Sequence, residues 1–61
     1  MQSIYIGEFN EDDVLLNRDN YKKAIAAALE THGKGNIKTE LIEYKGSAYY
    51  LRKIKVYLEK D

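Results

Sequence analysis

The side chains best suited to chemistry in this chain are a single histidine, His32, and four carboxylates gathered near the start, Glu8, Glu11, Asp12 and Asp13. An imidazole can act as general acid or base only with a substrate proton or a second catalytic group within hydrogen-bond reach, and no sequence neighbour marks such a partner. His32 directly precedes Gly33, where a helix is expected to stop, so its natural task is to face the last carbonyls of that helix. The carboxylates could gather a hard cation. They lack the Asp-x-Asp-x-Asp-Gly spacing and the distal glutamate of a calcium loop, so no metal site is expected. Displayed in a row, Glu11, Asp12 and Asp13 read instead as a solvated acidic loop, or as a patch complementary to a basic protein partner.

Two further groupings touch phosphate chemistry. Gly33-Lys34-Gly35 shares its residue types with phosphate-cradling loops, but it follows a helix and has no Ser or Thr after the lysine, so it reads as a turn. Arg18, Lys22 and Lys23 fall where a helix begins and its free amides could meet an anion. An ordinary solvated first turn accounts for them equally well.

The elements that must position these residues are few. Ser3 to Phe9 is β-branched and aromatic and reads as a strand, with Ile4 and Ile6 on one face and Tyr5 and Phe9 on the other, and with Gly7 permitting a bulge. Val14-Leu15-Leu16 interrupts the acidic loop as a short apolar anchor expected to pin it against the core. Tyr21 to His32 is the clearest helix, with Tyr21, Ala24, Ile25, Ala28, Leu29 and His32 recurring on one stripe. Asn17, Asp19 and Asn20 each qualify as its N-cap. Gly33 supplies the stop, and Gly35 loosens the turn that follows.

Asn36 to Lys45 and Ala48 to Glu59 read as a hairpin joined through Gly46-Ser47. Ile54, Val56 and Leu58 share a parity with Tyr50 and Arg52, while Tyr49, Leu51, Lys53, Lys55 and Tyr57 take the other. The expected architecture is α+β in the order β-α-β-β, with one helix on a three-stranded, mainly antiparallel sheet completed by dimerisation. The whole chain forms one small domain.

Composition narrows the function classes. A 61-residue chain buries only about 60% of the surface it exposes unfolded, so its stability margin is thin. It has no cysteine, which removes disulfides, thiolate nucleophiles and cysteine-ligated metals. Ten basic residues balance ten acidic ones, whereas general nucleic-acid binders carry a basic excess or stripe. No apolar run approaches the roughly 18 residues of a membrane span. These features lead to the expectation of a soluble cytoplasmic protein with no cofactor and no enzymatic activity. In size and composition it resembles the accessory products that phages and mobile elements encode.

The strongest functional pointer is aromatic. Four of the six tyrosines lie in the hairpin. If Ile4, Ile6, Leu41, Ile54, Val56 and Leu58 meet the alanine-rich helix, the other sheet face inherits Tyr5, Phe9, Ile42, Tyr44, Tyr49, Leu51 and Tyr57. Tyrosines suit half-wet interfaces because the ring buries area while the hydroxyl keeps a polar partner. A half-solvated strand tyrosine is also ordinary. The reading is therefore a small regulator or inhibitor that contacts a protein partner, a second copy of itself included, through Tyr5, Tyr44, Tyr49 and Tyr57 or through Glu11, Asp12 and Asp13. The alternative is a nucleic-acid-binding module in which Arg52, Lys53 and Lys55 meet phosphates beside base-stacking tyrosines.

Overall fold

The computed structural model describes residues 2–60. Strand β1 spans Gln2–Asn10, a short helix α1 Glu11–Leu15, helix α2 Asp19–His32, strand β2 Asn36–Lys45 and strand β3 Tyr50–Lys60. The sheet order is β1-β3-β2, and β3 is antiparallel to both neighbours. The last strand thus enters the middle of the sheet and leaves β1 and β2 as its two edges. The expected α+β architecture, a helix on a three-stranded antiparallel sheet, is the one observed, with α1 added ahead of α2.

The core follows from that placement. Ile54, Val56 and Leu58 point toward the helices from the strand flanked on both sides, and they are the buried hydrophobics among the described residues, with Val56 and Leu58 at 0% exposure. From α2, the stripe residues Tyr21, Ala24, Ile25 and Ala28 are half-buried, while Leu29 and His32 remain exposed. Ile37 and Leu41 of β2 stand opposite Leu58 and Ile54, hence on the same side as α2, yet they stay 37% and 45% exposed. The helix approaches β1 rather than β2. Leu41, expected beneath the helix, is left outside its cover.

Several expectations need correction. Phe9 lies on the helix side, not with Tyr5: a bulge between Tyr5 and Gly7 inserts Ile6, after which Gly7 faces Val56 and Phe9 faces Ile54. One extra residue reverses the parity of everything that follows it. The Phe9 ring then meets Tyr21 of α2 edge-on, with centroids 5.5 Å apart. The acidic residues 11–13 form the first turn of α1 rather than a loop, where carboxylates suit the positive end of a helix. Of the apolar anchor, Val14 is half-buried, whereas Leu15 and Leu16 are 70% and 65% exposed, so Val14 is the one of the three that is partly covered.

The α1–α2 junction settles the capping. Asn17 takes a positive φ of 53°, which asparagine tolerates, and α2 starts two residues earlier than expected. Arg18 occupies the N-cap position without a side-chain bond. Of the three expected acceptors Asn17, Asp19 and Asn20, Asn20 takes a first-turn amide, that of Tyr21 at 2.8 Å, and does so from inside the helix rather than from the cap position. At the other end Gly33 adopts φ 86° and ψ −174°, a conformation open essentially to glycine alone, and its amide bonds the Leu29 carbonyl at 2.8 Å. Gly35 has a different duty from loosening a turn. A Cβ there would lie 2.5 Å from the Glu59 carbonyl oxygen, so glycine is what lets the chain run against β3 before β2 begins.

The hairpin closes by pairing Lys45 with Tyr50 across residues 46–49, with the Gly46 amide bonded to the Tyr49 carbonyl at 2.9 Å. Tyr49 therefore sits in the turn, not on the sheet face assigned to it. Because β1 ends at the Asn10–Lys53 pair, residues 43–52 project beyond it as a two-stranded arm. The molecule is accordingly long and thin, 41 × 25 × 14 Å.

Candidate interaction surface

Alternation along β3 places Leu51, Lys53, Lys55, Tyr57 and Glu59 on the face away from the helices, and the registers add Tyr5 and Glu8 from β1 and Lys38, Glu40, Ile42 and Tyr44 from β2. Among the described residues no helix lies over this face. Tyr5 and Leu51 are 55% and 48% exposed, and Tyr44 is 39% exposed. Tyr5 and Tyr57 are direct cross-strand neighbours, their rings tilted at 55° with centroids 5.5 Å apart. Such a pair stiffens both rings and presents them as one aromatic block.

Tyr44 reaches across the central strand, and its hydroxyl donates to Glu8 Oε1 at 2.6 Å. This bond ties the two edge strands together over the open face. The carboxylate acceptor favours the protonated phenol and raises the Tyr44 pKa above its ordinary 10.0. At one end of the face Lys38 lies 3.8 Å from Glu59. In the middle Lys55 stands in register between Glu8 and Glu40. Three lysines and three glutamates therefore interleave with the rings, and the face carries no net charge.

The other residues picked out in the sequence are dispersed. Arg52 lies on the helix side, 3.1 Å from Glu11, whereas Lys53 and Lys55 lie on the opposite face. The structure thus divides the proposed phosphate contacts between two sides of the sheet. In α1, Asp13 accepts from Asn20 Nδ2 at 3.0 Å and pairs with Arg18 at 3.5 Å, closing the junction between the helices. Glu11 and Asp13 are thereby engaged within the chain, and Asp12 is exposed. On the projecting arm Tyr50 donates to Glu43 Oε2 at 2.6 Å, which raises the tyrosine and lowers the glutamate, while Lys45 sits 5.6 Å from the Tyr50 ring centroid.

His32 is exposed, and the charge at the end of α2 comes from elsewhere: the Lys60 ammonium donates to the His32 carbonyl. The imidazole borders a shallow groove of about 310 Å³ between β1 and α2, together with Ile4, Ile6, Ala24, Ala28 and Thr31. Among the described residues no three His, Cys, Asp or Glu side chains gather to hold a metal ion. No helix among them is long and apolar enough to cross a membrane.

Two surface features escaped the sequence reading. One is the exposure of Ile37 and Leu41 on the helix side, which follows from the sideways position of α2 and leaves no mark in the periodicity. The other is the pair Leu15 and Leu16, whose direction depends on where α1 ends. No protein-family model, curated protein or solved structure matches the chain.

Proposed function

We propose that this chain is a small interaction protein whose helix-free sheet face binds the surface of a protein partner. The observation that supports this reading is the combination on one face of the exposed Tyr5, Tyr44 and Leu51 with an equal number of lysines and glutamates. Rigid aromatic side chains supply contact area at low entropic cost, and hydroxyls and paired charges supply the polar rim. Charge neutrality favours a protein partner over a polyanion, since phosphate binding draws its affinity from an excess of cations. The face is a better contact than the acidic turn, because Glu11 and Asp13 are already engaged by Arg52 and Arg18. Occupying a partner in this way would make the protein a regulator or inhibitor.

Photo-crosslinking from single positions tests the proposal. A benzophenone side chain introduced at Tyr5 or Leu51 is expected to yield covalent adducts with one protein in lysate of the source cells, and the same group at Lys23 on exposed α2 to yield none. Adducts confined to Lys23, or adducts to nucleic acid that vanish steeply with rising salt, would overturn it.

A further inference from the structure

We infer that β2 is a homodimerisation edge, pairing antiparallel with β2 of a second copy about a two-fold axis at Thr39 to form one continuous six-stranded sheet. The inference concerns the sheet edge and stands whether or not the tyrosine face has a partner.

The two edges differ. β1 is interrupted by its bulge at Ile6 and runs beside α2. β2 keeps unbroken register with β3 over all ten residues from Asn36 to Lys45, and its outer side carries a full row of unpaired backbone groups. Natural sheets blunt such an edge with proline, bulges, covering segments or charged side chains, lysine above all. The chain contains no proline, and β2 shows no bulge or cover among the described residues; its charges, Lys38, Glu40, Glu43 and Lys45, are of both signs, so they repel a second copy only in some registers.

Symmetry then limits the register. Antiparallel pairing of identical strands requires a two-fold axis normal to the sheet, so opposing residues lie on the same face and have the same parity. An axis at Lys38 or at Glu40 sets like charges directly opposite each other. An axis at Leu41 sets Ile37 against Lys45 and Thr39 against Glu43. With the axis at Thr39, Lys38 faces Glu40 twice, Ile37 faces Leu41 twice and Thr39 faces Thr39. Opposite charges, apolar pairs and threonine pairs are each favourable cross-strand neighbours. Lys38 already lies 3.8 Å from Glu59 on the inner side, so its ammonium would sit between two carboxylates. The same axis keeps both copies of α2 on one face and shields Ile37 and Leu41, the β2 residues that α2 leaves open. With three buried hydrophobic residues among those described, the thin core stands to gain from that cover.

The test uses sedimentation equilibrium of the wild-type chain and three variants, with circular dichroism to confirm folding. The wild type is expected to dimerise. K38E and E40K each place like charges opposite one another twice and should weaken association about tenfold or more, while the double variant K38E/E40K restores it. Because the chain lacks cysteine, T39C supplies a unique thiol for a second measurement. Directly opposed strand residues have Cα atoms roughly 4.5–5.5 Å apart, within disulfide range, so T39C should oxidise to a covalent dimer and L51C should not. A wild type that stays monomeric at millimolar concentration overturns the inference. So does a dimer that neither single charge variant weakens, or one in which L51C crosslinks in preference to T39C. Adducts from Tyr5 or Leu51 to another protein are unaffected by any of these results, so the two readings fail separately.

Discussion

Tyr44 and Tyr50 use the same chemistry for different ends. Each phenol donates to a glutamate carboxylate at 2.6 Å, one across the open face and one within the projecting arm. In both, the hydrogen bond favours the neutral phenol and raises its pKa above 10.0. A raised folded-state pKa means that the stabilisation is fully present below the unfolded value and is lost as the pH climbs through the folded one. For Glu43 the sign reverses: its lowered pKa gives a contribution present above the ordinary carboxylate value of 4.5 and lost as the pH falls through the folded value. Ultraviolet titration should therefore show tyrosine ionisation extending above pH 10.0, and Tyr44→Phe and Tyr50→Phe should each remove one late-ionising group. A late phase unchanged in both variants would show that neither hydrogen bond forms in solution. The existence of many tyrosines on strands was legible in the sequence; their glutamate partners were not, because Glu8 and Tyr44 are brought together only by strand order.

At the scale of elements, local rules and tertiary packing divide the explanation. Strand periodicity placed Ile54, Val56 and Leu58 on one face and Leu51 and Tyr57 on the other, and it held because β3 is regular from end to end. The same rule failed for Phe9, since the bulge at Ile6 is a one-residue event that alternation does not reveal, even with Gly7 beside it. Tyr49 was displaced by the length of the hairpin loop, which no Asn-Gly or Asp-Gly pair specifies in this sequence. Gly33 was readable as a helix stop, but the need for glycine at position 35 arises only from the approach of the Glu59 carbonyl. Gly35→Ala is accordingly expected to destabilise the fold by about 1–3 kcal/mol in urea unfolding, the usual range for forcing atoms into a filled space. An unchanged midpoint would mean that the segment between α2 and β2 does not pack against β3 as described.

Across the whole molecule, the governing fact is the mismatch between a three-stranded sheet and the single α2 that covers part of one side of it. The alanines of α2 favour helix formation, but they contribute little volume to the core. That shortage was visible in composition. The sideways lean of α2 toward β1 was not, because it depends on a strand order that the sequence does not choose. The consequence is a sheet open on one face, at one edge and along its projecting arm, with Ile54, Val56 and Leu58 as its buried hydrophobic centre. Binding partners are proposed for the face and the edge because both carry surface that the fold itself leaves unused.

That last point can be measured with one substitution made at two places on one strand. Leu58 is fully buried against the helices and Leu51 is 48% exposed on the opposite face. In urea unfolding, Leu58→Ala should cost about 2–5 kcal/mol, the range for emptying a core leucine, while Leu51→Ala should cost about 1 kcal/mol or less. Equal losses at the two positions would show that the open face holds the fold together, and would remove the ground for assigning it to a partner.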